Sequence, residues 1–82
     1  MKITYDSPVP LLHWVLLRGR DVLRLRVERT GDRYQVSVSP AKGQQLKPLY
    51  FDVFHACSSA FQCHAMLVAW FREAGWTSVV YR

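Results

Sequence analysis

The chain has 82 residues, of which half are hydrophobic, and it carries a formal net charge of +5 at pH 7. This length provides for one domain, residues 1–82, and this hydrophobic content predicts a packed core rather than a disordered chain. Residues 1–6 do not form a signal peptide and the apolar residues 11–17 are too few to span a membrane, so we expect a cytoplasmic protein without membrane contact. The basic balance favours anionic partners, although it also serves solubility alone.

The first predicted element is a strand within residues 8–18. Ser7-Pro8 followed by Gly19 is also typical of a short helix. Such a helix would be apolar on every side with nothing large enough to bury it, so the strand is favoured. A Gly19-Arg20 type II′ turn then aligns one side of this strand with the next strand. The aligned residues are Leu12, Trp14 and Leu16 with Leu23, Leu25 and Val27, while His13, Val15 and Leu17 lie on the opposite side.

A β-hairpin is predicted over residues 22–39. Residues 22–28 and 34–39 alternate hydrophobic with polar residues, as half-buried strands do, and residues 30–32 supply the turn. The hydrophobic residues must share one face, which restricts the register to an even-length loop. The resulting pairs are Val27 with Tyr34, Leu25 with Val36, Leu23 with Val38, Glu28 with Arg33, Arg26 with Gln35 and Arg24 with Ser37.

Arginines dominate the polar face of this hairpin. Residues 18–33 hold six arginines against three acidic residues. The register sets Glu28 opposite Arg33 as a cross-strand ion pair. Arg24 and Arg26 face no acidic residue in this register, so their positive charges are available to bind a partner.

A fourth strand is predicted at residues 49–54. In one phase Leu49, Phe51 and Val53 point inward, and the other residues point to the arginine face. The opposite phase would bury Asp52, which is costly without a partner. The first phase is therefore favoured, and it places Tyr50 and Phe54 beside the arginines.

The clearest helix is predicted at residues 57–74, with Ser58 or Ser59 as its cap and Gly75 just past its end. Its apolar stripe would cover one face of the sheet. Residues 76–81 form either a fifth strand at the sheet edge or a segment beside the helix. The predicted fold is α+β: a four-stranded antiparallel meander with one face covered by a single long helix and the other face open and basic.

Histidines and cysteines near this helix do not predict a reactive site. They are His55, Cys57, Cys63 and His64, and their spacing matches no pattern of zinc ligands. No carboxylate forms a recognisable pair with the histidines, and no glycine-rich phosphate loop is present. We therefore expect no metal, no cofactor and no enzymatic activity. His64 is interpreted as a core-facing histidine with a hydrogen-bond partner, and the two cysteines as buried free thiols.

The open basic face predicts a binding protein. Guanidinium groups bind phosphates and exposed rings stack on unpaired bases, so single-stranded nucleic acid or another polyanion is the favoured ligand. The expected binding residues are Arg24, Arg26, Arg33, Tyr50 and Phe54. The alternative is a protein–protein interaction or inhibitor module that uses the same face or a sheet edge, with a protein partner or a second copy of the chain.

The chain resembles small uncharacterised bacterial proteins in which a four-stranded meander precedes a helix. Three stretches, about a quarter of the chain, carry this resemblance: residues 14–19 (WVLLRG), 29–34 (RTGDRY) and 72–76 (REAGW). None of them carries chemistry. The order of elements is also similar to that of PC4- and Whirly-type single-strand-binding domains, and to that of small phage-type inhibitor proteins. These resemblances imply a binding function, through a nucleic acid or a protein target.

Overall fold

The computed structural model describes residues 7–41 and 48–81, with only the backbone for residues 80 and 81. Within these residues, one antiparallel sheet of strand order β4-β3-β2-β1-β5 carries a single helix on one face. The strands are β1 (Val9–Arg18), β2 (Asp21–Thr30), β3 (Arg33–Pro40), β4 (Tyr50–Phe54) and β5 (Thr77–Tyr81), and the helix is α1 (Cys57–Glu73). The predicted α+β fold is confirmed, and the C-terminal residues form the fifth strand. Residues 1–6, on which the signal-peptide prediction depends, lie outside the described part.

β1 is the strand that the apolar pattern favours over a helix. Arg18 pairs with Asp21 across a two-residue turn, and Gly19 has a φ of +59°, which suits the first position of a type II′ turn. The predicted alignment of β1 with β2 is confirmed, since Leu12 pairs with Val27, Trp14 with Leu25 and Leu16 with Leu23. The register shifts between Pro10 and Leu12, so β1 has a bulge near its start.

The predicted register of the β2–β3 hairpin is wrong by two residues. Thr30 pairs with Arg33 across a two-residue turn at Gly31-Asp32, because Gly31 adopts a φ of +63° and lets the ladder continue to the tip. Val27 therefore pairs with Val36 rather than Tyr34, and Glu28 faces Gln35 rather than Arg33. The remaining polar pairs are Arg26 with Ser37 and Arg24 with Ser39. A shift of two residues leaves every side chain on its predicted face.

The predicted phase of β4 is wrong. Tyr50 pairs with Val38 and Phe54 with Tyr34, so both rings lie on the side of the sheet that α1 covers. β4 is an edge strand, and Asp52 stays exposed even on that side, where it accepts hydrogen bonds from Val53 N (2.9 Å) and Tyr50 Oη (3.4 Å). Asp52 is therefore not buried, and the desolvation cost for which this phase was rejected is absent.

The core lies between the sheet and α1. The fully buried side chains of the sheet are Leu16, Leu25, Val27, Val36 and Val38, and they pack against the buried residues of the helix, Ala60, His64 and Val68. The predicted Ser58 or Ser59 cap is wrong, because α1 begins at Cys57 directly after a two-residue link from β4 and no side chain caps it.

α1 ends just before Gly75, as the sequence predicts. Gly75 has a φ of +94°, and its N–H donates to Arg72 O at 3.0 Å. The N–H of Trp76 donates to Phe71 O, also at 3.0 Å, which completes a Schellman motif. This motif turns the chain back so that the buried Trp76 leads into β5.

Candidate binding face

The face of the sheet opposite α1, which we call the open face, is a mixture of cations, small polar residues and apolar side chains. Strand pairing places on it His13, Val15 and Leu17 of β1, Arg24, Arg26 and Glu28 of β2, Arg33, Gln35, Ser37 and Ser39 of β3, Phe51 and Val53 of β4, and Thr77 and Val79 of β5. No helix covers these residues in the described part of the chain. The face therefore meets solvent or a partner.

Arg24 and Arg26 occupy the middle of the open face, on the central strand β2. Arg26 lies between His13 and Ser37, and Arg24 lies between Val15 and Ser39, so neither arginine has an acidic residue opposite it. Both side chains are half-buried by these neighbours. Among the described residues neither guanidinium forms an ion pair. The positive charges of Arg24 and Arg26 are therefore uncompensated, as predicted.

The pKa of His13 reports the electrostatic potential of the open face. Burial lowers the pKa of His13 from its ordinary 6.5, and the positive charges of Arg26 and then Arg24 lower it further. Glu28 opposes this effect by raising the pKa. The positive field of the two arginines therefore exceeds what Glu28 compensates, and His13 is mainly neutral at pH 7.

Arg33 lies on the open face but apart from the other two arginines. It is exposed beside the turn, opposite Thr30, instead of facing Glu28. Arg33 is four positions along β3 from Ser37, the partner of Arg26, which is a distance of about 13 Å along the strand. The structure thus places Arg24 and Arg26 together and Arg33 at the rim.

Among the residues whose side chains the structure describes, the aromatic side chain that β4 contributes to the open face is Phe51, not Tyr50 or Phe54. Phe51 pairs with Ser37, which pairs with Arg26, so its backbone lies two strand spacings, about 10 Å, from the backbone of that arginine. Its side chain is 53% exposed. Sequence reasoning missed Phe51 because it assumed that the helix-facing side of β4 would bury Asp52, although the predicted meander already places β4 at an edge. An edge position, which removes the burial cost of Asp52, was the signal that could have found it.

Tyr50 lies instead against α1. Its Oη is 3.5 Å from Cys63 Sγ, and this hydrogen bond, with burial and the nearby Asp52, raises the pKa of Tyr50 to about 12. Both cysteines are free, but Cys57 is exposed and Cys63 half-buried, so the prediction of buried thiols is wrong for Cys57. Across residues 7–41 and 48–81, no three His, Cys, Asp or Glu side chains come together as a metal site.

His64 is core-facing, as predicted, but its environment differs from the expected one. Its Nε2 has no hydrogen-bond partner among the described residues, so the predicted partner is absent there. Its ring packs against Trp14 instead. Burial lowers the pKa of His64. The ring of His64 therefore packs in the core as an apolar side chain does.

The chain matches no protein-family model, no curated protein and no solved structure. Within its described residues, no helix is both long and apolar enough to cross a membrane.

Proposed function

We propose that the protein is a non-enzymatic binding protein whose open face binds single-stranded nucleic acid. The observation that carries the proposal is the row of side chains His13, Arg26, Ser37 and Phe51 on four neighbouring strands. A cation for phosphate, a hydroxyl donor and an exposed ring for a base follow one another across the sheet. Arg24 adds a second cation beside this row.

An unpaired strand suits this surface better than a duplex. The one helix of the described residues, α1, carries its positive charge at one residue, Arg72, near its end, so it does not resemble a recognition helix for the major groove. An antiparallel sheet instead presents its rows at spacings of about 5 Å, and its exposed ring can stack on a base that is not paired. The free cysteines Cys57 and Cys63 are compatible with a reducing compartment such as the cytoplasm.

The test is a salt titration of the binding of a fluorescent oligothymidine. Replacement of Arg24 and Arg26 by alanine should weaken binding and reduce the slope of log affinity against log salt by about 0.7 for each arginine removed. The matched control is Arg29→Ala/Arg72→Ala, which removes the same charge from residues outside the open face. Absence of binding at low salt, or equal losses in both double variants, would contradict the proposal.

Stacking is tested separately at Phe51. Phe51→Leu should cost about 1–3 kcal/mol of binding free energy if one base stacks on the ring, whereas Phe51→Tyr should retain the affinity. If dextran sulfate competes as well as the oligonucleotide and Phe51→Leu has no effect, the face binds polyanions in general, and the nucleic-acid assignment is wrong.

A further inference from the structure

A cleft of about 480 Å³ lies where the turn between β1 and β2 meets the end of α1. Its sheet residues include Arg18, Leu23 and Pro40, which strand pairing places on the side of the sheet that α1 covers. The volume is in the range of small-molecule sites. None of the residues proposed above to bind nucleic acid lines this cleft. A ligand bound in it would therefore be independent of the open face.

The helix side of the cleft is aromatic. Trp70, Phe71 and Trp76 line it. Their rings meet edge to face, with centroids 5.1 Å apart for Trp70 and Phe71 and 5.8 Å apart for Phe71 and Trp76. Trp76 is buried, whereas Trp70 is 63% exposed, so its indole offers a ring that a flat apolar ligand can cover. These side chains favour an aromatic ligand.

Two arginines also line the cleft, Arg18 and Arg20. Arg18 is held beside the aromatic side chains, because its guanidinium carbon lies 4.6 Å from the centre of the Trp76 ring and its Nη1 donates to Ala74 O. Arg20 is exposed in the turn, and within residues 7–41 and 48–81 it forms neither an ion pair nor a hydrogen bond. Both guanidinium groups keep N–H donors that a carboxylate can accept.

The charge of the cleft selects the charge of the ligand. Among the described residues, Asp21 is the acidic residue that lines the cleft, and it is the cross-strand partner of Arg18. The end of α1 adds a partial negative charge, which also acts on Arg18 through Ala74 O. Together they offset the charge of Arg18 and leave that of Arg20. The cleft should therefore attract a monoanion and accept a dianion less well.

We propose that this cleft binds a small aromatic carboxylate. The ring of the ligand packs against the indole of Trp70, and its carboxylate accepts hydrogen bonds from Arg20 and Arg18. Leu23 and Leu49 supply further apolar contact. Burial of the ring provides most of the binding free energy, while the arginines select the anion and fix its orientation.

An NMR titration of the full chain tests the site, with naphthylacetate as the probe. The indole N–H signals of Trp70 and Trp76 should shift, and that of Trp14, in the core, should not. A probe of this size should bind with a Kd of about 1 mM or lower. Naphthylacetamide has the same ring without the charge and should bind about tenfold more weakly. Acetate, which has the charge without the ring, should cause no shift.

Variants separate the roles of the arginine and the ring. Arg20→Ala should weaken naphthylacetate about two- to fivefold, as expected for an exposed ion pair, and leave naphthylacetamide unchanged. The matched control is Arg29→Ala, which removes the same charge near the other end of β2 and should change neither. Trp70→Ala should weaken both probes. Arg20 and Trp70 are exposed, and melting curves verify that each variant still folds.

Three results would overturn the proposal. If naphthylacetate at about 10 mM shifted neither Trp70 nor Trp76, the cleft would not bind this class of ligand. Equal affinity for the acid and the amide would show that the arginines select nothing. A naphthyl phosphate that bound more tightly than naphthylacetate would show that the ligand is a dianion. Loss of oligothymidine binding in Arg24→Ala/Arg26→Ala is a separate result, so the two proposals can fail independently.

Discussion

The rings of Trp14 on β1 and His64 on α1 meet edge to face, with centroids 5.0 Å apart and planes at 84°. This contact joins the sheet to the helix in the core. Trp14 Nε1 and His64 Nε2 are both buried without a hydrogen-bond partner among the described residues. An imidazolium at this site would carry its charge in an apolar environment, and burial accordingly lowers the pKa of His64 from 6.5.

The protein should lose stability as the pH falls below about 6.5. Above that pH His64 is neutral in both states. Below it the unfolded chain binds a proton that the folded chain resists, so the free energy of unfolding decreases. Urea denaturation at about pH 7.5 and pH 5.5 measures the difference. His64→Leu should flatten it, and His13→Gln should do so less, since His13 is more exposed. An unchanged pH dependence in His64→Leu would contradict this prediction.

Arg26→Ala should raise the pKa of His13. The positive charge of Arg26 is the larger of the two arginine effects that lower this pKa, and the two residues are cross-strand partners. An NMR titration of the imidazole protons measures the change. Arg29→Ala is the control, because Arg29 is on the same strand but projects from the other face. If Arg26→Ala and Arg29→Ala changed the pKa of His13 equally, Arg26 would be no closer to the ring than Arg29, and the prediction would be wrong.

Arg18→Ala should destabilise the protein by about 0.5–1 kcal/mol. The guanidinium carbon of Arg18 lies 4.6 Å from the centre of the Trp76 ring, and its Nη1 donates to Ala74 O at 3.4 Å. These contacts link the end of β1 to the end of α1. Arg20→Ala removes the same charge two residues away and should have a smaller effect. Thermal unfolding of both variants distinguishes the cation–π contact from a general effect of charge.

Gly75→Ala should destabilise the protein by about 1–2 kcal/mol, because the φ of +94° is unfavourable for residues with a Cβ. The cost is conformational rather than steric, since an added Cβ would meet only Arg18 Cδ at an ordinary 3.9 Å. Gly75→Asn should cost less, because asparagine tolerates a positive φ better. Equal losses for alanine and asparagine would point to a different cause.

The sequence by itself determined most of the sheet. Alternation in β2 and β3 placed Arg24 and Arg26 on the open face even though the predicted register was wrong, because side chains alternate with a period of two and a shift of two residues preserves the face. The same reasoning identified β1, and Gly75 marked the end of the helix.

Only the tertiary structure decided which side of β4 meets the helix. A shift of one residue exchanges the two faces, so whether Tyr50 or Phe51 lies on the open face depends on how β4 pairs with β3. At an edge, Asp52 remains in water in either phase, and the burial penalty that orients an interior strand is absent. The desolvation cost of a polar residue depends on its neighbours in space. The local sequence pattern does not contain these neighbours.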